Sequence, residues 1–597
     1  MRVGVPGVAA PDRTFGVSYE GRDVTAASGD TVAATLVAGG HLALRETGDG
    51  SHRGVFCGMG ACHECAVVID GDPGRLACMV ATGPGMDIGI QPAAPDVPAP
   101  KSDFRETRQL SPAVLVVGGG PAGLTAASVL AEAGVEVVVA DERSKLGGQF
   151  YKQPGSDRDI DEERLDDQYR AGRALVRRAE EAGVQIVGGV TVWGALRPDL
   201  LAARSDRCSW VLRPERLVLA TGAHERAVPI PGWTLPGVMT TGAAQTLLRS
   251  SQVSPGQRVV LSGNGPLNMQ VAAELVRAGV TVTALVEQAD LRWWRNGRSG
   301  SGMLMSAPEL VRKGLGYRTT LARARAPVID RSSVVEILGD GRVEAAVVAR
   351  LDPSGHRIPG TDREVAADAV CLGYGFIPAN EMSRSLGCDH HVDRKSGSLA
   401  VTRSDTGRTS VPTVWVVGDA GGVKGAYVAG ALGSLAACDI LADLGVRPAE
   451  RNRPSRDAAR RLLRRHQRFQ RHLEHLYRAQ PLTTQLAHDT TLVCRCESVP
   501  LGELRASFGG GAQTAGAAKR LTRAGMGKCQ GRYCSPSVLA LASEASGRPP
   551  EEFSGFAPQA PVRPVFISDV AGADLGDQSP VVSTEPAALG LDGSDRT

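Results

Sequence analysis

The sequence has few aromatic residues and little net charge. Phe, Trp and Tyr make up 4% of its 597 residues, and the formal net charge is +3. A chain without an excess of either charge has no overall attraction to nucleic acid or to a membrane surface, so we expect no nucleic-acid partner. The 42% of hydrophobic residues still suffice for large cores. A chain of this length is expected to form several domains, roughly three to five.

The sequence also lacks an export signal and an unbroken apolar run. Its first ten residues contain no sustained apolar segment, which a signal peptide requires. The longest apolar-rich stretch, 411–444, is interrupted by Asp419, Lys424 and Asp439 and does not match a membrane-spanning helix. We therefore expect a cytoplasmic protein without a membrane span.

The sequence contains twelve cysteines, a number that could suggest disulfides. Disulfides are rare in the reducing compartment that the missing export signal predicts. Eight cysteines fall into two compact sets of four, which favours ligation of a metal or cluster. The remaining four stand among apolar neighbours and are expected to be buried: Cys208, Cys371, Cys388 and Cys438.

The first cysteine set has the spacing C-x4-C-x2-C with one distal cysteine, which is typical of a plant-type [2Fe–2S] cluster. Gly58 and Gly60 would let the loop curl around the cluster, with backbone N–H groups directed at the sulfurs. A structural zinc is the alternative, although zinc sites more often use paired C-x2-C units. His63 is expected to face solvent. The predicted ligands are Cys57, Cys62, Cys65 and Cys78.

The second cysteine set is C-x-C followed, after 32 residues, by C-x4-C. It resembles the bacterioferritin-associated-ferredoxin domain, from which it departs because that domain ends in C-x2-C. Four thiolates in a helical, small-residue-rich segment favour [2Fe–2S] over zinc. The predicted ligands are Cys494, Cys496, Cys529 and Cys534.

One stretch changes from aliphatic residues to a glycine turn and then to an alanine-rich helix. Its Gly118-x-Gly120-x-x-Gly123 spacing is typical of a strand–turn–helix unit that binds a dinucleotide pyrophosphate. The helix N-terminus, which includes Pro121 and Ala122, would face the phosphates. Asp141 and Glu142 end the next strand, where an acid is expected to contact the ribose.

The strand–turn–helix unit is followed by further glycines and ends at Gly148-Gln149. Two later strands also end in short polar motifs, which are Thr221-Gly222 and Gly418-Asp419. Together they resemble the FAD signatures of flavoproteins with two dinucleotide-binding domains, the class of thioredoxin and glutathione reductases. The resemblance implies bound FAD, with Asp419 hydrogen-bonded to the ribityl chain. His224 follows the second signature and is a candidate for active-site work, or only for buttressing the flavin.

A second fingerprint lies between the outer signatures and is incomplete. It reads Gly263-x-Gly265-x-x-Asn268, and Glu287 ends the following strand. In the flavoprotein class this inserted domain binds NAD(P)H. We expect the Asn268 side chain to push the helix away from the strand, so NAD(P) binding and a domain retained for packing both stay open.

The redox cysteines of the disulfide reductases in that class are absent. Neither 146–151 nor 233–370 contains a cysteine. We therefore exclude a thiol–disulfide reductase.

The segment between the flavoprotein core and the second cysteine set is strongly basic. Helical spacing in this segment predicts an amphipathic helix with a solvated basic face. The apolar side of the helix is formed by Leu462, His466, Phe469, Leu473 and Leu476.

The sequence as a whole is predicted to divide into seven kinds of segment. These are a ferredoxin-like domain (1–95), a linker (96–111), an FAD domain in two parts (112–250 and 366–448), an inserted domain (251–365), a basic connector (449–485), a C-terminal cluster domain (486–547) and a largely disordered tail (548–597).

The predicted fold class is thus multidomain α/β. It comprises a β-grasp-like plant-type ferredoxin domain, a two-dinucleotide-binding-domain flavoprotein core and a helical domain of bacterioferritin-associated-ferredoxin type. This order resembles a fusion of the small and large subunits of hydrogen cyanide synthase, opine oxidase and D-hydroxyproline dehydrogenase. The large part also resembles the α subunit of heterotetrameric sarcosine oxidase.

That resemblance implies an electron-transfer subunit with FAD and two [2Fe–2S] clusters. A separate flavoprotein subunit of D-amino-acid-oxidase type would oxidise the C–N bond of an amino acid or secondary amine, and a downstream acceptor would take the electrons. The alternative is a self-sufficient NAD(P)H-dependent ferredoxin-type reductase. A scaffold with vestigial cofactor sites is a third hypothesis, against which the eight spaced cysteines argue.

Overall fold

The computed structural model describes residues 1–96, 106–155, 157–206, 208–292, 297–393, 395–447 and 455–571. Within them, three five-stranded sheets and a C-terminal helical region form a mixed α/β molecule. The predicted multidomain α/β class is confirmed.

The N-terminal domain is a five-stranded sheet packed against one helix. Its sheet order is β2-β1-β7-β5-β6, with β1 and β7 parallel and the other pairs antiparallel. Thr31 caps the helix, whose apolar face is buried against the sheet. The elements are β1 (Thr14–Tyr19), β2 (Arg22–Ala27), α1 (Val32–Ala38), β3 (Arg45–Glu46), β4 (His52–Arg53), β5 (Ala66–Ile69), β6 (Asp72–Leu76) and β7 (Asp87–Ile90).

The first part of the flavoprotein core supplies most of a parallel sheet of order β11-β10-β9-β15-β28, to which a later part of the chain adds β28 (Val414–Val416). It also forms a smaller sheet of order β12-β13-β14-β8. The predicted linker is wrong at its end, because 106–110 pairs in parallel with β14. Residues 97–105 lie outside the described residues. The elements are β8 (Glu106–Leu110), β9 (Val114–Val117), α2 (Pro121–Glu132), β10 (Val137–Asp141), α3 (Asp167–Glu181), β11 (Gln185–Gly188), β12 (Thr191–Arg197), β13 (Leu200–Arg204), β14 (Cys208–Leu212), β15 (Arg216–Leu219) and β16 (Ala223–Glu225).

The inserted domain is larger than predicted. Its parallel sheet has the order β17-β24-β18-β19-β20, so 238–250 and 369–373 belong to it rather than to the FAD domain. These domain boundaries are set by hydrogen bonds between strands that are distant in sequence, so they could not be predicted from local sequence patterns. The elements are β17 (Val238–Thr240), α4 (Thr241–Ser251), β18 (Arg258–Gly263), α5 (Pro266–Arg277), β19 (Thr281–Glu287), α6 (Gly297–Ser306), α7 (Pro308–Arg323), β20 (Val328–Ile329), β21 (Ser332–Leu338), β22 (Ala345–Arg350), β23 (Arg363–Ala366) and β24 (Ala369–Gly373).

The chain then returns to the FAD domain and ends it with a long apolar helix. The elements are β25 (Phe376–Pro378), α8 (Glu381–Ser385), β26 (His390–Asp393), β27 (Ser398–Val401), β28 (Val414–Val416) and α9 (Ala426–Asp443). With a mean hydropathy of 1.3, α9 is long and apolar enough to cross a membrane, but 56% of it is buried inside the protein. It packs on α2, as a core helix does.

The predicted basic helix is present as α10 (Arg456–Leu476). It packs on α6 and α9 and buries Leu463 rather than the predicted Leu462, which is 42% exposed. Because α10 contacts two helices, its buried face differs from the row of apolar residues that the sequence predicted. The basic face is also partly ion-paired, for example between Arg465 and Glu309 at 2.7 Å. Residues 449–454 of the connector lie outside the described residues.

The second cysteine set lies in a region of short helices and a two-stranded ribbon: β29 (Leu492–Cys494), β30 (Val499–Pro500), α11 (Leu501–Gly509), α12 (Ala515–Thr522) and α13 (Ser535–Ser546). The predicted disorder of the tail is wrong for 548–571, which ends in α14 (Ile567–Ala571). Phe556 packs where Cβ atoms on Gly525 and Gly531 would come within 2.6 and 2.3 Å of its ring. Residues 572–597 lie outside the described residues.

The close contact between α2 and α9 gives a test of the core. A Cβ atom at Gly433 would lie 2.3 Å from the Ala122 carbonyl oxygen, whereas one at Gly430 would lie 3.6 Å from Thr125 Oγ1. We expect Gly433→Ala to lower the free energy of unfolding by about 1–3 kcal/mol, because the helices must separate. Gly430→Ala should be neutral or stabilising by up to about 1 kcal/mol. Thermal denaturation of both variants measures this, and equal stabilities would contradict the packing.

Candidate functional site

The first glycine turn is shaped by steric limits at two of its glycines. A Cβ atom at Gly118, where φ is +108°, would lie 2.4 Å from the Ala220 carbonyl oxygen. One at Gly123 would lie 2.0 Å from the Gly118 carbonyl oxygen, whereas one at Gly120 would meet nothing closer than Gly148 Cα at 3.8 Å. The first and third glycines therefore permit close packing, and the second leaves the backbone open to a phosphate.

The two acids after this turn have different surroundings. Asp141 accepts hydrogen bonds from the backbone N–H groups of Gly119 at 2.6 Å and Arg143 at 2.8 Å. Burial raises its pKa to about 6, and these N–H groups oppose the rise. Glu142 pairs with Arg563 at 3.4 Å. Asp141 thus braces the turn; ribose binding by either acid stays a prediction.

All three predicted FAD signatures line one cavity of about 1930 Å³, the main cavity. At its far wall, Asp419 accepts hydrogen bonds from the N–H groups of Lys424 at 2.8 Å and Gly425 at 3.0 Å, where α9 begins. The volume and the open backbone at the glycine turn fit FAD. The predicted FAD residues that line the main cavity are Gly118, Gly120, Pro121, Ala122, Asp141, Glu142, Gly148, Gln149, Thr221, Gly222, Gly418 and Asp419.

Asn268 does not push the helix of the second fingerprint away. Its side chain is buried, donates to the Gly373 carbonyl oxygen at 2.8 Å and accepts from Thr241 Oγ1 at 2.7 Å. A Cβ atom at position 373 would lie 2.1 Å from Asn268 Oδ1, so a glycine there makes the room. The predicted clash is wrong because the partner strand compensates for the larger side chain.

The other fingerprint residues are engaged within the protein. Glu287 accepts from the Gly265 N–H at 3.1 Å, and burial raises its pKa to about 8. A Cβ atom at Gly263 would lie 1.9 Å from the Gly373 carbonyl oxygen, so this glycine serves close packing. Asn264 Nδ2 donates to the Tyr477 carbonyl oxygen at 3.1 Å, which ties the turn to the connector after α10. Gly265 nevertheless lines the main cavity, and NAD(P) binding stays a prediction.

The first cysteine set is buried and surrounded by backbone donors. Cys57 Sγ accepts from the N–H groups of Met59 at 3.5 Å and Cys62 at 3.4 Å, and Cys78 Sγ accepts from Gly60 at 3.3 Å. Burial raises the pKa of Cys57, but the Cys62 thiol and the backbone donors outweigh it and bring this pKa to about 6. Such donors suit the anionic sulfurs of an iron–sulfur cluster.

The loop of the first set is also packed from outside. His63 is partly buried rather than solvent-facing as predicted, and burial lowers its pKa to about 3, with Arg563 and Lys528 contributing. Arg143, beside the main cavity, donates to the Gly58 carbonyl oxygen at 2.7 Å. The first cysteine loop therefore contacts the FAD site.

The thiols of the second set converge although they are distant in sequence. The Sγ atoms of Cys494 and Cys496 are 3.7 Å apart, and those of Cys496 and Cys529 are 3.5 Å apart. A Cβ atom at Gly527 would lie 2.5 Å from Cys496 Sγ, so the loop needs a glycine there. Four buried or half-buried thiols fit a [2Fe–2S] cluster.

The two cysteine loops meet at a buried ion pair. Glu64 lies between Cys62 and Cys65, is 1% exposed and contacts Arg495 Nη2 at 3.1 Å. Arg495 lies between Cys494 and Cys496, and its guanidinium stacks on Phe56 and Trp233 at 4.1 and 4.7 Å. The two predicted cluster sites are therefore neighbours.

Comparison with known proteins agrees with this architecture. Residues 112–433 match the pyridine nucleotide-disulphide oxidoreductase family, residues 12–93 a 2Fe-2S iron-sulfur cluster binding domain, and residues 492–544 a BFD-like [2Fe-2S] binding domain. An opine oxidase subunit of Rhizobium meliloti is 34% identical over 76% of this chain and 98% of its own. Hydrogen cyanide synthase subunit HcnB of Pseudomonas aeruginosa is 32% identical over 78% of this chain and 99% of its own.

The chain belongs to the family of these opine oxidase and hydrogen cyanide synthase subunits. It is therefore an oxidoreductase subunit with a flavoprotein core and two [2Fe–2S] domains. Among solved structures, L-proline dehydrogenase from P. horikoshii has a TM-score of 0.68 at 20% identity, covering 96% of this chain and 100% of that one. That likeness shows the fold. The predicted family resemblance is confirmed.

In this family member, His224 does not face the main cavity. Ala223 and Glu225 line it, whereas the His224 Nε2 atom lies 3.2 Å from the Arg532 carbonyl oxygen, in the second cysteine loop. Successive side chains of a strand point to opposite faces, so β16 directs His224 away from the flavin site. Burial lowers its pKa to about 4. This placement gives no support to His224 as an active-site residue of the flavin site.

Sequence reasoning missed the titratable residues beside the cavity. Glu225 Oε2 accepts from the Gly242 N–H at 2.8 Å, and burial raises its pKa to about 7. Lys152 Nζ donates to Gln245 Oε1 at 2.8 Å, and burial lowers its pKa to about 7. Both residues follow an FAD signature in the sequence, and this position could have marked them as candidates. The sequence does not show, however, which residues are buried away from water.

Glu225 gives a pH-dependent prediction. Its folded-state pKa of about 7 exceeds the ordinary 4.5, so between these values the folded state holds a proton that the unfolded state releases. Folding stability from this group therefore falls as pH rises through that window. Glu225→Gln removes the effect, and we expect the wild-type melting temperature, relative to the variant, to fall between about pH 5 and pH 7.

The change should correspond to at most a few kcal/mol, since one pKa unit is about 1.4 kcal/mol. Glu181→Gln, at an exposed position on α3, is the control and should track the wild type. If the melting temperatures of wild type and Glu225→Gln change with pH in the same way, the pKa of Glu225 is not raised in the folded state.

Proposed function

We propose that this chain is the electron-transfer subunit of an amino-acid or secondary-amine dehydrogenase. The observation that carries the proposal is the packing of both cysteine loops beside the main cavity. Arg143 reaches from the FAD site to the first loop at 2.7 Å, and His224 lies 3.2 Å from the backbone of the second. The three predicted redox sites are thus adjacent within one chain.

The chemistry of the groups supports a relay. A flavin exchanges two electrons with an organic donor, whereas a [2Fe–2S] cluster carries one. The chain would hold the flavin through its glycine turn and Asp419, and each cluster through four cysteines. Buried packing around both cysteine loops excludes water, and backbone N–H groups stabilise negative sulfur.

The cavity favours organic donors over disulfides. None of the described residues that line the main cavity is a cysteine. The two relatives compared above are named as subunits of opine oxidase and hydrogen cyanide synthase. We therefore propose a partner flavoprotein of D-amino-acid-oxidase type that oxidises a C–N bond, a downstream electron acceptor and a cytoplasmic location.

A self-sufficient NAD(P)H-dependent reductase is the second candidate. Gly265 of the second fingerprint lines the same cavity as the FAD signatures, which favours it. The bonds from Asn264 to the Tyr477 carbonyl oxygen and from Glu287 to the Gly265 N–H argue against it. They engage the turn that would otherwise receive a pyrophosphate.

Anaerobic stopped-flow mixing distinguishes the two functions. We expect an amine or amino-acid donor to bleach the flavin of this chain only when the partner flavoprotein is present, because the C–N bond is oxidised on the partner. NADH and NADPH alone should leave the flavin oxidised. Rapid bleaching by either nicotinamide, without a partner, would contradict the proposal and support the reductase.

The cluster content can be tested separately. Two [2Fe–2S] clusters contain about four iron atoms per chain, and we expect Cys529→Ser to lose about half of this iron. Cys371→Ser is the matched control, since Cys371 is buried in β24 and belongs to neither set. Iron and acid-labile sulfide analysis gives the result; full iron content in Cys529→Ser would show that this cysteine is not a ligand.

A further inference from the structure

Thiols of both cysteine sets face the same small cavity. Cys62 of the first set lines it together with Glu64, Arg495 and Tyr533, and with all four cysteines of the second set. Cys57, Cys62, Cys529 and Tyr533 also belong to one buried hydrophobic cluster. The side chains between the two cluster sites are therefore shared by both.

Tyr533 is a buried polar side chain in this interface whose hydroxyl lacks a hydrogen-bond partner among the described residues. It is 5% exposed, and its hydroxyl has no hydrogen-bond partner within the described part of the chain. Its ring packs edge-on against Phe56 and His224, with ring centroids 5.5 Å apart in both cases. A buried hydroxyl donor is costly to leave unsatisfied, so its surroundings point to an acceptor among the cysteine sulfurs that would hold a cluster.

The position of Tyr533 limits what that acceptor can be. Phe56, which its ring contacts, precedes the ligand Cys57, and Tyr533 itself precedes the ligand Cys534. Tyr533 packs in one buried cluster with Cys57, Cys62 and Cys529. The hydroxyl therefore lies among thiols of both sets.

We propose that the two cluster sites form one direct electron relay and that Tyr533, a positioning residue, donates a hydrogen bond to the Cys57 sulfur across the interface. In each transfer one electron leaves a reduced cluster and enters its oxidised neighbour, and Tyr533 keeps its proton. This inference rests on the cluster-bearing relay of the proposed function, but not on the identity of the electron donor.

The charges at the interface suit a relay that gains electrons. Glu64 is surrounded by Arg45 at 2.7 Å, Arg53 at 3.8 Å and Arg495 at 3.1 Å. Three guanidinium groups against one carboxylate leave positive charge between the loops, and each cluster becomes more negative when reduced. Fixed positive charge and hydrogen bonds to sulfur both favour the reduced state.

The first test uses the full-length wild-type holoprotein, reduced with dithionite and followed by electron paramagnetic resonance. With both clusters reduced, we expect their spectra to show magnetic interaction through splitting or broadening, because the sites share a wall. Cys529→Ser should lose this interaction while the first cluster keeps its signal. Two independent spectra in the fully reduced wild type would overturn the direct relay, and this measurement depends on no Tyr533 variant.

The second test is Tyr533→Phe, which removes the hydroxyl and keeps the ring. In a redox titration we expect the ratio of reduced to oxidised first cluster, at fixed potential, to fall about tenfold, which corresponds to 59 mV for a one-electron couple. Tyr169→Phe is the control, because the buried Tyr169 hydroxyl donates to the Arg249 carbonyl oxygen at 2.6 Å. It should leave the ratio unchanged.

An unchanged ratio in Tyr533→Phe, with full iron content, would overturn the role of Tyr533. Both tests use a chemical reductant, so they are independent of the amine donor and its partner. If the amine fails to reduce the flavin while magnetic interaction and the shift are found, only the proposed function is contradicted. If the amine reduces the flavin but interaction or shift is absent, only the relay inference is contradicted.

Discussion

The position of both cysteine loops depends on one buried carboxylate. Glu64 is 1% exposed and ion-paired with three arginines, one of which, Arg495, lies between two cysteines of the second set. Burial would raise its pKa, but Arg495 and Arg45 keep this pKa below its ordinary value. Removing one partner of a buried ion pair typically costs about 3–5 kcal/mol, since the other charge stays desolvated. The pair therefore fixes the two loops relative to each other rather than merely joining their surfaces.

This constraint gives the inserted domain a structural role. The Thr240 N–H donates to the Phe56 carbonyl oxygen at 2.8 Å, which anchors the first cysteine loop at the start of α4. The N-terminal domain and the inserted domain also share one hydrophobic core, to which Leu36 and Leu261 contribute. A dinucleotide-type fold is thereby used as the platform that holds the ferredoxin domain against the flavin site, whether or not it binds a nucleotide.

Features encoded by local spacing could be predicted from the sequence, and features that depend on distant partners could not. The glycine turn at Gly118 and the loop that carries Cys57, Cys62 and Cys65 are spacing patterns, because a turn or loop of a few residues fixes their geometry. The second set has 32 residues between its two pairs, and its prediction rested on resemblance to a known domain. The accommodation of Asn268 depends on Gly373, about a hundred residues away. The ordered segment 548–571 likewise depends on the space beside Gly525 and Gly531 that receives Phe556. Composition alone made that segment resemble a disordered tail.

The strand β16 separates two kinds of chemistry within three residues. Glu225, whose pKa is raised to about 7 by burial, faces the main cavity, where flavin redox chemistry couples electrons to protons. His224 faces the opposite side and packs on Tyr533, beside clusters that carry single electrons. Burial lowers the pKa of His224 to about 4 and keeps the ring neutral near pH 7, so it adds no variable charge to the cluster side. Side-chain alternation along one short strand thus places a titratable group on the flavin side and a neutral, packed ring on the cluster side.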